Sequence, residues 1–242
     1  MINLPGSRIA DDDIYLLEDR RREPKNIFVE AARIINHKKW QDGTLLLDVG
    51  CATGEFINYL KMITKKFDYV GLDISTKMIA EAINRDATTQ FIIADALDAH
   101  SFPAKKANII TMFGVMNCSD DPVPVINNLI GWAKEGGMIL ILDMINDESI
   151  DVLTRYRRAN QHNALWESGW NMFSRSTLEK ILSTQKRIQS YRFQPFILPF
   201  KLSKKDDPMR TWTMATEVNP YQLINGAGQL VNLEFIIIDM VP

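Results

Sequence analysis

Cysteine is almost absent from this chain: Cys51 and Cys118 are the only two in 242 residues. Two thiols make no disulfide framework, and with three histidines no zinc-type Cys or His spacing occurs, so a reducing compartment is expected. An excess of either charge is missing too. With 28 lysines and arginines against 30 acids, the formal net charge is −2, and no global basic field draws the chain to nucleic acid, although local basic patches stay open. No stretch reaches the ~18 uninterrupted apolar residues of a membrane span, and the opening MINLPGSRIADDD has no apolar signal region. The G-x-x-x-x-G-K-S/T phosphate loop is lacking as well. A soluble, cytoplasmic protein is therefore expected. Its length and 46% hydrophobic content suffice for the core of one α/β domain spanning 1–242.

What is present reads as a cofactor cradle. In LLLDVGCATGEF, Leu45, Leu46, Leu47 and Val49 form an apolar strand of the kind buried on both faces, with Asp48 near its carboxyl end. Gly50, Ala52 and Gly54 keep the next turn small, with Cys51 inside it, so that a ligand can approach main-chain N–H groups at the start of the following helix. A second strand pattern, Phe67 to Ile74, ends in Asp73, and one strand plus one helix fit between the two acids. An acid placed there accepts hydrogen bonds from a ribose diol in dinucleotide folds. A third strand, Gln90 to Ala94, delivers Asp95 to the same edge. Each acid alone reads equally well as a solvated surface group, but three at one rim point to a ribose-containing cofactor. A nicotinamide enzyme uses the same logic and shows G-x-G-x-x-G. Here the turn Gly50-Cys51-Ala52-Thr53-Gly54-Glu55 lacks the second glycine and carries a carboxylate in place of the third, which repels a pyrophosphate.

Strands and helices alternate along the rest of the chain. Residues 1–40 form a helical cap, with helices expected over Asp11 to Arg22 and over Pro24 to His37, the second opened by Pro24. In the core, 41–144, follow a helix at Lys77 to Asn84, a strand at Ala107 to Phe113, a helix at Val123 to Lys134, a turn at Gly136 and Gly137, and a strand at Met138 to Asp143. This alternation predicts a parallel sheet with helices on both faces. Two segments exceed an ordinary connection. They are Ile145 to Phe173, before a helix at Thr177 to Lys186, and Ile197 to Gln229, between long strands at Arg187 to Phe196 and Leu230 to Val241. If the first of these strands runs parallel to the core, both insertions (145–173 and 197–229) emerge at the carboxyl rim, where open α/β sheets bind ligands.

On these residues the stretch from Leu45 to Met144 resembles the class I S-adenosylmethionine-dependent methyltransferases. The resemblance implies a doubly wound, mostly parallel, seven-stranded Rossmann-like sheet closed by an antiparallel strand, with S-adenosyl-L-methionine as cofactor. It implies that the Gly50–Gly54 loop holds the methionine part with Asp48 nearby, and that Asp73 binds the ribose hydroxyls. Ile74 would pack on the adenine, Asp95 would meet its amino group beside the Ala96 main chain, and Phe113 and Gly114 would border the reacting methyl. Ala52 departs from the family's usual glycine, a tolerable change if its φ is negative.

Acceptor contacts are sought in the insertions. Trp166, Trp170 and Trp212 supply flat faces for sugar rings or aromatic groups, or else glue the insertions to the sheet. Arg155, Arg157 and Arg158 are a solvated face or a fork for an anionic acceptor. Tyr15, Tyr156 and Tyr221 are further contacts. Methyl transfer asks mainly for in-line positioning, and a hydroxyl acceptor benefits from a base, for which His162 is the candidate. Asp143, Asn146 and Asp147 lack a converging third acid, so no metal is expected. The expected activity is O-methylation of a small polar metabolite or sugar, including glycan or nucleotide-sugar compounds, because the fourth strand ends in Gly114-Val115-Met116-Asn117-Cys118 rather than the N-P-P-Y or D-P-P-Y run of amino-methylating relatives. The alternatives are an N-methyltransferase of a small amine or RNA base, and a non-catalytic binding or scaffold protein.

Overall fold

A computed structural model describes residues 15–16, 23–157, 159–160, 165–168, 170–204, 210–224 and 230–242. His162, Arg158 and nearly all of the helix expected over Asp11 to Arg22 lie outside them. The first full helix, α1 (Asn26–Asn36), buries Phe28, Ala31, Ala32, Ile34 and Ile35 along one stripe. Its N-cap is Lys25 in extended backbone, so Pro24 precedes the helix instead of opening it. Then follow β1 (Thr44–Val49), α2 (Glu55–Ile63), β2 (Phe67–Asp73), α3 (Thr76–Arg85), β3 (Gln90–Ile93) and β4 (Ala107–Phe113). Next come α4 (Pro122–Trp132), β5 (Ala133–Asn146), the short strands β6 (Arg155–Tyr156), β7 (Glu167–Ser168) and β8 (Phe173–Ser174), and α5 (Arg175–Ser183). The chain closes with β9 (Ile188–Phe196), β10 (Trp212–Met214), β11 (Gln222–Ile224) and β12 (Leu230–Met240).

Side-chain caps fix three helix starts. Ser75 accepts the Met78 N–H, Asp121 accepts the Val123 N–H ahead of Pro122 at the first helical position, and Ser174 accepts the Thr177 N–H. The fifth strand begins earlier than expected. Ala133 already pairs with Ala107, and the next register pair is Met138 with Ile109, so Gly136 and Gly137 sit in a bulge of β5 and not in a turn before it. Gly137 has no room for a side chain, since a Cβ there would lie 2.8 Å from the carbonyl oxygens of Asn108 and Lys134.

The sheet runs β3-β2-β1-β4-β5-β12-β9. The first five strands are mutually parallel, whereas β12 is antiparallel to both β5 and β9. Two antiparallel steps make β9 parallel to β5. Both insertions therefore leave from the carboxyl rim, and β12 begins there. The first insertion folds into the β6–β7 pair and a bridge between Val152 and Met172 before β8 joins the end of β5. The second contributes β10 and β11; β11 pairs with the start of β12, and β10 pairs with β11.

One sheet face is covered by α4 and α5, packing Val125, Ile126, Leu129, Leu178 and Leu182 on Ile110, Ile139 and Ile236. On the opposite face, under α1 and α2, aromatic rings form a continuous row. Phe28 meets Phe56 at 5.3 Å between centroids, Phe56 meets Phe113 at 5.0 Å, Phe113 meets Phe235 at 6.3 Å, and Phe235 meets Phe196 at 5.9 Å. Phe235, fully buried, joins the end of β4 to the end of β9. Phe235→Ala is expected to cost about 3–5 kcal/mol in a urea unfolding titration, because the rings on both sides lose their common neighbour.

Candidate functional site

The loop between β1 and α2 is held from within. The N–H groups of Gly50 and Cys51 both donate to the Leu72 carbonyl, at 2.7 and 3.1 Å, and Gly54 N–H donates to the Cys51 carbonyl at 2.8 Å. Ala52 N–H donates to Asp73 Oδ2 at 2.9 Å, and Ser75 N–H donates to Oδ1 of the same carboxylate at 2.8 Å. The N–H groups of Gly50, Cys51 and Ala52 are thus taken up by β2, and that of Gly54 within the loop itself. Ala52 lies at φ +46°, so the condition of a negative φ on which alanine would be readily tolerated is not met, and its N–H is bonded to Asp73 in that conformation. Gly50 needs to be glycine on two counts: its φ is +73°, and a Cβ would fall 2.2 Å from Val115 Cγ2.

Such a loop is poorly suited to a diphosphate, which binds to open N–H groups at a helix N-terminus. The first residue of α2 is Glu55, whose carboxylate meets the helix dipole and lies 3.7 Å from Arg85 and 3.9 Å from Lys25. The acids below the loop favour a ligand with a positive group. Asp48 is 3% exposed and accepts the Thr111 hydroxyl at 2.7 Å. Burial pushes its pKa up to about 7, against the Thr111 hydrogen bond that lowers it, and the charge of Asp73 raises it further. The Cys51 thiol is pushed up by burial and by the same two acids, which keeps it unreactive.

Along the rim the expected cofactor residues come together at the ends of β1 to β4. Half-buried Asp73 and exposed Asp95 flank Ile74, an isoleucine 68% exposed. Asp95 Oδ1 accepts the Leu97 N–H at 2.9 Å, and the Ala96 carbonyl accepts Asn128 Nδ2 at 2.9 Å. Beyond Phe113, Gly114 donates its N–H to the Leu142 carbonyl at φ +69°, with open space where a Cβ would stand. Two carboxylates border an open apolar step at the ends of β2 and β3, and an open glycine lies beyond β1 at the end of β4.

The loop after β4 is anchored by Asp143 and by Asn171, the second of which spacing did not single out. Asp143 accepts the N–H groups of Asn117 and Met144. Asn171, fully buried, donates its N–H to the Asn117 carbonyl and its side-chain amide to the Ser119 carbonyl and Asp120, and it accepts the Thr154 N–H. Among the sought acceptor contacts, Arg155 is ion-paired with Asp120, and Trp166 lies under Arg157 with 5.1 Å from guanidinium to ring centroid. Trp170 packs with Met144, Met172 and Leu223, fastening the insertions to the sheet. Trp212 and Tyr15 lie under Lys204 and Lys25 respectively. The three metal-site candidates diverge: Asp143 holds main-chain N–H groups, Asn146 bonds to Ile150 and Glu148, and Asp147 pairs with Arg175.

Tyr221 lines a cavity of about 260 Å³ at the carboxyl rim. Its walls come from the end of β9 (Phe196), the segment before β11 (Val218, Asn219), the start of β12 (Glu234), Asp147 and Arg175. Arg175 and Glu234 were not foreseen. A single acid inside the apolar run LVNLEFIII was the signal available for the second; its contact with Arg175 bridges 59 positions.

These features define a doubly wound α/β protein with a ligand rim at the strands' carboxyl ends. Residues 41–206 match the model of the methyltransferase domain family. The chain belongs to that family, as a class I, S-adenosylmethionine-dependent methyltransferase. No curated protein matches it. Among solved structures it is similar to the methyltransferase in complex with the Haloferax volcanii Trm112 activator, with TM-score 0.63 and 13% identity over 98% of this chain and 100% of that one. It is also similar to a phosphoethanolamine N-methyltransferase of Haemonchus contortus, with TM-score 0.58 and 13% identity over 90% of this chain and 53% of that one, so it spans about half of that enzyme. A SAM-dependent methyltransferase of Aquifex aeolicus gives TM-score 0.54 and 15% identity over 97% and 100%.

Two outcomes follow from the loop. Ala52→Gly is expected to raise stability by about 1 kcal/mol, because a non-glycine residue in the left-handed region costs roughly that much, and a thermal melt of the unliganded protein reads it. Asp48, with its pKa raised in the fold, is favoured there in the protonated form. Its contribution is complete below about pH 4 and disappears as pH rises to about 7. Asp48→Asn does not charge, so its stability relative to the native chain should improve by up to about 4 kcal/mol between pH 4 and pH 7, then level off in urea titrations.

Proposed function

We propose that this methyltransferase transfers the methyl of S-adenosylmethionine to a hydroxyl oxygen of a small polar metabolite or sugar-like compound. The sulfonium, when bound, supplies an already activated methyl, so this chain's tasks are to hold the donor, align the acceptor and take a proton. Asp73 would receive the ribose hydroxyls, since its half-buried carboxylate stands at the carboxyl end of β2, where an acid of such a sheet meets a ribose diol. Ile74 would face the adenine, Asp95 its amino group, and Asp48 the ammonium end, where a positive charge favours the ionised carboxylate. Phe113 and Gly114 would border the methyl.

The observation that carries the acceptor reading is the 260 Å³ cavity on the same rim. It lies just below the usual ~300–1,000 Å³ of ligand pockets, which suits a small molecule rather than a macromolecule. Oxygen as the acceptor atom is supported by the Phe113-Gly114-Val115-Met116-Asn117 end of β4, which lacks the amide or acid followed by two prolines and tyrosine. The nucleic-acid alternative loses its basic cluster in part, because Arg155 is already neutralised by Asp120.

Calorimetric titration with S-adenosylmethionine, S-adenosylhomocysteine and NAD tests the donor site, and the first two alone should bind. Asp73→Ala should weaken both by roughly 1–3 kcal/mol. Unchanged affinity in a folded variant would remove the ribose assignment. Labelled-methyl transfer to hydroxylated compounds, with amines and RNA as parallel acceptors, then reads the atom methylated.

A further inference from the structure

The cavity beside Tyr221 contains a charge arrangement that narrows the acceptor. Glu234 is 2% exposed, and its Oε1 accepts Arg175 at 2.6 Å. Its Oε2 is buried without a hydrogen-bond partner. Arg175 is shared: it also donates to Asp147 Oδ1 at 2.8 and 3.2 Å, and its guanidinium lies over the Phe193 ring at 4.8 Å. Among the described residues, the charged groups lining the cavity are thus two carboxylates and one guanidinium. Burial holds the Glu234 carboxyl above its ordinary pKa, with Arg175 opposing and Asp147 adding to the rise. A buried carboxylate oxygen without a donor is destabilising, and the soft terminal torsion of glutamate lets it turn toward the cavity.

Resting on the methyltransferase reading above, we infer that this cavity binds the acceptor and selects an uncharged hydroxylated ring, one of whose hydroxyls donates to Glu234 Oε2, while anionic acceptors are rejected. A carboxylate or phosphate on the ligand would face two like charges against one guanidinium that is already engaged by both. A neutral hydroxyl gives the unpartnered oxygen its donor without adding charge. The Phe196 and Tyr221 side chains provide flat apolar walls of the kind on which the less polar face of a sugar ring packs. Glu234 is here a specificity and positioning residue. Its Cα lies two strand spacings, about 10 Å, from the end of β4.

The test uses the full chain saturated with S-adenosylhomocysteine, the binding of which is measured first by calorimetry. Saturation-transfer NMR then compares three probe sets: neutral methyl hexosides and cyclitols, the corresponding hexose phosphates and uronic acids, and hexosamines. At least one neutral probe should bind, and the anionic ones should bind at least tenfold more weakly. Glu234→Gln, which replaces the accepting oxygen by a donor or reverses the amide toward Arg175, should weaken the neutral probe tenfold or more with S-adenosylhomocysteine affinity unchanged. Val218→Trp, at a lining position 93% exposed and therefore neutral for folding, should block the same probe. Binding of only anionic or only amino probes, binding of none, or a neutral probe insensitive to both variants would overturn the inference. Loss of S-adenosylhomocysteine binding by the native chain would instead overturn the methyltransferase reading itself.

Discussion

The carboxylate of Asp73 is the fixed point of the ligand rim. It stands at the end of β2, takes the Ala52 N–H with one oxygen and the Ser75 N–H with the other, and so ties the loop after β1 to the start of α3. Without that bond Ala52 would have no reason to remain left-handed, a conformation that costs a non-glycine residue about 1–2 kcal/mol. Leu72, one residue earlier, receives both Gly50 and Cys51. The first three loop donors are therefore engaged by β2, and acids stand below the loop. The same charge at Asp73 acts on buried Asp48, so the unliganded cradle favours one ionised carboxylate over two. A ligand carrying a positive group reverses that preference. A diphosphate would meet one carboxylate below the loop and another, Glu55, at the helix start.

The sheet was legible because period and punctuation agree along most of it. The Ala107–Phe113 strand has the bounds expected, and Asp48, Asp73 and Asp95 stand at one rim as their spacing required. Departures have local causes. Gly136 and Gly137 look like a turn in the sequence, yet the same freedom serves a bulge when Ala133 already has a partner in β4. Ala52 misled because alanine normally excludes the left-handed region, and the hydrogen bond that compensates comes from a residue 21 positions away. Trp170 lies on an insertion, as a sugar platform would, but the apolar surface of Met144, Met172 and Leu223 claims it. Arg175 and Glu234 are far apart in the chain and carry no motif. Their meeting depends on β12 returning antiparallel beside β5, a consequence of topology that composition does not display.

That return also explains how the cavity is joined to the core. In the β5–β12 ladder Asp143 stands directly opposite Glu234, and both are buried. Two acids in such a position repel unless each is separately compensated. Asp143 is compensated by the main-chain N–H groups of Asn117 and Met144, which fixes the loop following β4. Glu234 is compensated by Arg175 from α5, which forms the wall of the cavity. One side of the pair therefore fixes the backbone after β4, and the other sets the charge in the cavity wall. Because β5, β12 and α5 supply these groups, residues 218–223 of the second insertion form a roof that carries none of them. Changes to that segment alter the cavity it borders, while the two compensated acids keep the loop after β4 and the cavity wall in register.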